Sequence, residues 1–493
     1  MRIEVANSSV SDWAGPILAI GVFKGDRSRL QAMDIRLDGE IAKLFSNWLF
    51  EGEWKQTYLL DTHGKLGCDK LLLIGLGEPE KWGMDRLRKA SALAARVARD
   101  HRFTMLATSL HSTGQGTPVT NAQTVAEGAV LGLYRFRRYK TQEQDKEREL
   151  ESFILIEAKD ADAVRQGAGL GETIANAANY VRDLVNTPAS EATAEHLAAE
   201  AIRIANDNGL KVTVHGKAEL ENMGMNAILG VNKGSASEPK LCIMEWDGGG
   251  PTVAVIGKGI TFDSGGLNLK STQGIKDMKH DMAGAATVLG LMQAAVKLKL
   301  PVRLIGAFVA TDNALGPNAQ KPGDIIRAYN GKTIEVVNTD AEGRLILADA
   351  LSYIEKSYVP AAIIDLATLT GACIIALGNH AAGVLGTDQK LVDRIREAGE
   401  SSGERAWQLP LWEEYREMVK GDITDIINNS KEDWTGPGAI TGAAFLSNFI
   451  ERTPWAHIDI AGTAWWPTAG ELHPKGATGW GVRLLIELLK NWQ

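Results

Sequence analysis

Apolar positions recur along this chain with two periods. Runs dominated by β-branched and other apolar residues predict strands at Ile17 to Phe23, Thr57 to Leu60, Lys70 to Ile74 and Phe153 to Glu157. The same pattern returns at Lys211 to His215, Lys240 to Trp246, Val253 to Ile256 and Val302 to Ala310. Between these runs, spacings of three and four predict helices over Met84 to Val97, Gly169 to Val185, Ala194 to Asn206 and Met282 to Leu300. Strands alternating with helices imply an α/β fold whose central sheet is mainly parallel or mixed and flanked by helices. Asn186, Thr187 and Pro188 end the second helix. The expected organisation is therefore an N-terminal α/β domain over residues 1–165, a connecting helix over 166–186 and a larger α/β domain over 187–493. The charged segment Arg135 to Glu151 reads as a solvated connection.

One place in the pattern carries chemistry. Ile325 to Tyr329 and Lys332 to Val337 flank Asn330 and Gly331, a hairpin signal. The second arm runs into NTDAEGRL, Asn338 to Leu345, and then into helical spacing at Leu345, Leu347, Ala348, Ala350 and Leu351. This turn is expected at the carboxyl end of a strand, the edge where open α/β sheets bind ligands. Asp340 and Glu342 can aim two carboxylates into one space, and Arg344 adds a cation beside the open N–H groups of a helix start. Taken alone, acidic residues at that position also suit ordinary helix capping.

A second cluster upstream tips the balance. The strand Val253 to Ile256 is expected to open into a glycine-rich loop holding Lys258, Asp263 and Lys270, and Asp281 falls near the start of the Met282 helix. Asp263, Asp281, Asp340 and Glu342 converging without compensation would repel one another and take up protons. Bound divalent metal is the natural compensation, and a carboxylate-rich shell suits Mn, Mg or Zn.

These residues carry a resemblance. VIGKGITFDSGG around Lys258 and Asp263, MKHDMAGAA around Asp281, and NTDAEGRL are similar to the leucyl aminopeptidases, the two-metal cytosol aminopeptidase family, in its bacterial form. From about Asn186 onward the order of segments also resembles the family's catalytic domain, including VNKGSASEPKL, ATLTGA and AHIDIAGTAW. The resemblance implies one metal held by Asp263, Asp340 and Glu342 with the Asp340 carbonyl, and a second held by Lys258, Asp263, Asp281 and Glu342. Asp263 and Glu342 would bridge the two ions. It implies Lys270 as the protonated group that stabilises the developing oxyanion. It also implies Arg344 as the holder of a bicarbonate, with Ala341, Gly343 and Leu369 around it. Met278, Thr368 and Leu369 are expected to meet the substrate, a peptide with a free N-terminus. The N-terminal domain would be macro-like, and the assembly a homohexamer.

Segment NTPASEATA, the pair Leu267 and Asn268, and Ala283 and Ala350 in place of cysteines depart from the usual family pattern, and none is an expected metal ligand.

Composition narrows the field further. The chain has 493 residues and a formal charge of -8, which argues against a general nucleic-acid surface. A DNA-binding role would have to rest on a local patch such as Arg135, Arg137, Arg138 and Lys140. Cys68, Cys242 and Cys373 are scattered and odd in number, which favours buried thiols in a reducing compartment. No apolar run of signal-peptide length follows Arg2, and the apolar stretch Ala361 to Leu377 is short for a membrane span, so a cytoplasmic protein is expected. No HExxH pair, third Rossmann glycine or nucleophile elbow appears, which argues against zincin, dinucleotide-binding and serine-hydrolase readings. A phosphatase would use similar carboxylates, and Lys258 and Lys270 argue against it.

Overall fold

The period-two runs form strands of two separate sheets in a computed structural model that describes residues 1–142, 148–431 and 436–492. Residues 143–147 of the charged segment Arg135 to Glu151 lie outside the described residues. The chain divides into one unit of Met1–Asn176 with Ala469–Pro474, and a second of Ala177–Thr468 with Lys475–Gln493. The helix Ala161–Asn186 spans that division and is longer than the Gly169 to Val185 periodicity alone predicts.

In the first unit, six strands lie in the order Arg2–Ala6, Ser152–Ile156, Met105–Thr108, Gly15–Phe23, Cys68–Gly77 and Thr57–Asp61. Neighbours are parallel except the last pair, which is antiparallel. Its central strands read as unbroken apolar runs because both faces are covered. Ile17, Ala19, Leu72 and Ile74 pack with Leu87, Ala90 and Ala94 of the helix Met84–Asp100, while Leu18, Ile20, Leu71 and Leu73 pack with Met33, Ile41 and Leu44 on the other side. The hexapeptide Ala469–Pro474 belongs to this unit through Glu471. Its carboxylate pairs with Lys55 and with Lys89 at 3.0 Å, and its carbonyl accepts Arg96.

The second unit holds a mixed eight-stranded sheet. Its order is Ala406–Gln408, Ala382–Gly386, Trp455–Asp459, Ala362–Ala367, Thr252–Asp263, Arg303–Asn313, Lys240–Asp247 and Lys211–His215. The four strands from Trp455–Asp459 to Arg303–Asn313 run parallel. The helix Ala283–Leu298 is apolar nearly all round, and both it and the helix Gly343–Tyr358 are largely buried. Among the described residues, no helix is long and apolar enough to cross a membrane. The stretch Ala361 to Leu377 is the strand Ala362–Ala367, a turn and the helix Gly371–Leu377. All three cysteines are free and buried.

Two sequence expectations change. The glycine-rich loop expected after Ile256 is strand: Thr252–Asp263 continues straight through Gly257, Lys258 and Gly259. Glycine is present there for close backbone approach, not for a turn. A Cβ on Gly257 would lie 2.4 Å from the carbonyl of Gly284 on the covering helix, and one on Gly259 would lie 2.4 Å from Val309 O. The turn NTDAEGRL does follow a strand, but not one of the main sheet. The hairpin Asp324–Arg327 and Thr333–Val336 forms a small sheet with Ile426–Ile427, and that small sheet delivers the turn.

Candidate functional site

Three parallel strands of the main sheet end side by side. Asp263 is the last residue of its strand and is in register with Asn313, the last of the next. On the other side Ala367 leads into Thr368. Lys258 reaches the same place from mid-strand. Its side chain passes over Gly343, where a Cβ would lie 2.6 Å from Lys258 Cε. Gly343 therefore makes room for the lysine, a use that its place at a helix start does not reveal. A 3₁₀ turn, Met278–Met282, supplies Asp281, and the turn before the helix Gly343–Tyr358 supplies Asp340 and Glu342.

The geometry is tight. Lys258 Nζ donates to Asp281 Oδ1 at 2.8 Å and to Thr368 O at 2.9 Å, and lies 2.8 Å from Glu342 Oε1. Thr368 Oγ1 donates to Asp281 Oδ1 at 2.6 Å. Lys270 Nζ lies 2.8 Å from Asp263 Oδ2 and 2.5 Å from Asp340 Oδ1. Asp263 Oδ1 accepts Asn313 Nδ2 and the Gly265 N–H, both at 2.9 Å. Gly265 stands at φ +87, and a Cβ there would lie 2.9 Å from Asp340 Oδ1.

This donor set fits a divalent cation. Asp263, Asp340 and Glu342 each offer one oxygen, all within 4.8 Å of one another. Among the described residues, Asp281 Oδ2 and Asp340 Oδ1 are buried without a hydrogen-bond partner, meeting only the ammonium groups of Lys258 and Lys270 as ion pairs. Burial and the charge of Asp263 push the Asp340 carboxyl up to about 6. Burial raises Asp281 well above the usual carboxylate range, although Lys258 opposes this. Burial would lower both lysines, but the surrounding carboxylates outweigh it and hold them above the ordinary lysine value. Negative charge gathered out of water and only partly offset is the condition that a hard or borderline dication relieves.

Arg344 lies in the first turn of its helix, buried, with Nε and Nη1 lacking partners among the described residues. Burial brings its guanidinium down to about 10, so it is still charged at neutral pH. The Leu369 N–H is taken by Asp459 Oδ1 at 3.2 Å, and the Ala341 N–H by Asn338 O at 3.2 Å. Met278 is half-buried at the head of the 3₁₀ turn. His280 turns away from the carboxylates, with Nδ1 on Asp277 O at 2.5 Å and its ring stacked on Trp465.

Sequence reasoning missed the residues that hold these groups in place. Asn313 joins Asp263 to Thr339 O. Thr339 Oγ1 donates to Gly265 O at 2.7 Å, and Asn268 Oδ1 accepts the Thr339 N–H at 2.9 Å, so Asn268 ties the two loops together. Asp459 accepts the Thr370 hydroxyl at 2.6 Å as well as the Leu369 N–H. Polar residues at strand ends give no periodic signal, so nothing in the pattern marks them out.

Comparison with known proteins is consistent along the chain. Residues 179–486 match the model of the cytosol aminopeptidase family, catalytic domain, and residues 19–143 match that family's N-terminal domain. A probable cytosol aminopeptidase of Geobacter sp. (strain M21) is 44% identical over 496 residues, covering 100% of both chains. One from Roseiflexus castenholzii is 41% identical, covering 100% of this chain and 99% of its own. Among solved structures, a tomato leucine aminopeptidase mutant aligns at TM-score 0.88 with 32% identity, covering 99% of this chain and 96% of its own. A bottromycin maturation enzyme in complex with Mn aligns at TM-score 0.87 with 31% identity, covering 97% and 99%.

Proposed function

The chain belongs to the cytosol aminopeptidase family, and from that premise we infer that it releases N-terminal residues, leucine and other apolar ones preferred, from peptides in the cytoplasm. The observation that carries this reading is the cluster of buried Asp263 and Glu342 with half-buried Asp340, and Lys258 and Asp281 beside it. Asp263, Asp340 and Glu342 would hold one divalent ion, and Lys258, Asp263, Asp281 and Glu342 a second, Mn or Zn, with Mg as the alternative. Such ions supply Lewis acidity at the scissile carbonyl and lower the pKa of a water.

Lys258 would release its Nζ proton to solvent to serve as a ligand, because its ammonium and a cation cannot share the space between Asp281 and Glu342. Lys270 keeps its proton. With Asp263 and Asp340 committed to a cation, its ammonium is available to the carbonyl oxygen on which negative charge develops. Arg344, with two open donors, would hold a bicarbonate at the helix start near Ala341, Gly343 and Leu369. It thereby positions a proton acceptor that the side chains of the site do not themselves provide. Met278 and Thr368 flank the first side chain of the substrate. The Leu369 carbonyl, whose own N–H is engaged by Asp459, meets the peptide amide. Assembly as a homohexamer, and residues 187–493 as the catalytic domain, belong to the same reading.

Hydrolysis of leucine p-nitroanilide by metal-depleted protein, before and after adding Mn, Zn or Mg, tests it. Activity restored by metal and lost in Asp340→Ala and Lys270→Ala supports the assignment. A metal-loaded parent protein inactive on leucine and on a panel of other aminoacyl anilides overturns it.

A further inference from the structure

The backbone between Val336, where strand pairing ends, and Gly343, where the helix begins, must find its hydrogen bonds elsewhere. One side chain supplies four of them. Asn428 Oδ1 accepts the N–H of Val337 at 2.8 Å and of Asn338 at 3.2 Å. Its Nδ2 donates to Asn338 O at 2.6 Å and to Ala341 O at 3.3 Å. Asn428 is 0% exposed, and its own N–H donates to Glu335 O at 3.0 Å, which fixes it just beyond the short strand Ile426–Ile427. Asn338 passes the constraint on, its Oδ1 accepting the Asp340 N–H at 2.8 Å.

The two carbonyls held by Nδ2 bracket Asp340. Tethering them fixes the peptide planes that lead into Thr339 and into Glu342, and hence where the Asp340 and Glu342 side chains depart from the backbone. A carboxamide of this length is the group that offers an acceptor at one end and two donors at the other.

We propose that Asn428 is the positioning residue of the metal-binding turn. Its carboxamide sets the directions of the Asp340 and Glu342 carboxylates, and through them the affinity of the group for a divalent cation, without itself being a ligand. The inference rests on the metal-dependent reading above and names a residue that controls the same site.

The test uses the full-length chain with Asn428→Asp and Asn428→Ser. The aspartate keeps the shape and the acceptor facing Val337 and Asn338, but sets an oxygen against Asn338 O and Ala341 O. The serine keeps a single small donor. Mn affinity of the metal-depleted proteins is read by competition with a chromophoric chelator, alongside the thermal midpoint of the metal-free state. Asn428→Asp is expected to weaken Mn binding by about ten- to hundredfold, the usual effect of losing a group that orients a ligand, and Asn428→Ser by less. A merely structural role would lower the metal-free thermal midpoint and leave the Mn affinity of the folded protein unchanged, which overturns the inference. If Asn428→Asp does not fold, Asn428→Ser decides by the same comparison. A parent protein that binds no Mn sinks the metal-dependent reading and this inference with it. A parent that binds Mn no better than a folded variant sinks the inference alone.

Discussion

Asp365 and His457 stand directly opposite each other on neighbouring parallel strands, Oδ1 to Nδ1 at 2.6 Å, with neither residue exposed. Trp455 Nε1 donates to the other Asp365 oxygen at 2.7 Å. Burial alone would lower His457, but the Asp365 charge outweighs it and raises the imidazole above its ordinary value. A folded value above the unfolded one means that the pair's stabilisation is complete below about pH 6.5 and fades as pH rises through the folded value. Urea unfolding from about pH 6 to pH 9 should show stability declining across that window. Asp365→Asn should abolish the slope and cost about 3–5 kcal/mol by leaving one partner of a buried pair alone. A slope that survives in Asp365→Asn would assign it elsewhere.

Asp459 fastens the turn that presents Thr368 O to Lys258, through the Leu369 N–H, the Ala461 N–H and the Thr370 hydroxyl. Asp459→Ala should destabilise by about 1–3 kcal/mol for each donor stranded out of water. It should also lower kcat for leucine p-nitroanilide by more than it raises KM. Asp459→Asn, in which Oδ1 still accepts and the Thr370 hydroxyl can rotate to accept in turn, should keep most of both. Equal loss in the two variants would point to the charge and away from the hydrogen bonds.

Gly257→Ala places a methyl group 2.4 Å from the backbone of Gly284, so the strand carrying Lys258 and its covering helix must separate. A loss of about 3 kcal/mol or more is expected, measured as the shift in thermal midpoint. Gly169→Ala is the control. It lies within the helix Ala161–Asn186 with nothing near its missing Cβ, and should stabilise by about 0.5–1 kcal/mol.

Lys270→Met removes the ammonium shared by Asp263 and Asp340. If that ammonium serves the oxyanion, kcat should fall by about 10²–10³. Mn affinity should hold or tighten, because a competing cation has gone. A variant that loses metal affinity instead would make Lys270 a structural counter-ion.

Chelation should loosen the second unit, since Asp263, Asp281, Asp340 and Glu342 are then offset by the lysines and Arg344 alone. Metal at about a hundred times its dissociation constant should return about 2.7 kcal/mol, read as a rise in thermal midpoint. No rise would show that the group binds no ion of consequence.

The strands and helices that bury whole faces were legible in the chain, because covering a face imposes a period. Lys240 to Trp246 and Ala194 to Asn206 fall within a residue or two of their observed bounds. Arg2–Ala6 and Met105–Thr108 escaped, the first half-exposed at a sheet edge and the second only 4 residues long. Gly257 and Gly259 misled for a physical reason: a glycine required by a neighbouring backbone looks, in sequence, like one required by a turn. Asp263, Asp281, Asp340 and Glu342 could be found because ionisable residues in apolar surroundings stand out. Asn428, Asn313 and Thr339 could not, because neutral side chains that bond to backbone belong to no pattern until the fold brings the loops together.

Glu471 closes the first unit from some four hundred residues downstream of its partners Lys55, Lys89 and Arg96. As the chain leaves the ribosome, every strand of that unit has emerged long before the hexapeptide Ala469–Pro474 that completes it. The unit begun first is thus completed only after most of the second unit has emerged. No single cut in the coding sequence separates the two units, and recombination between relatives must carry the hexapeptide along with a partner encoded some four hundred codons upstream.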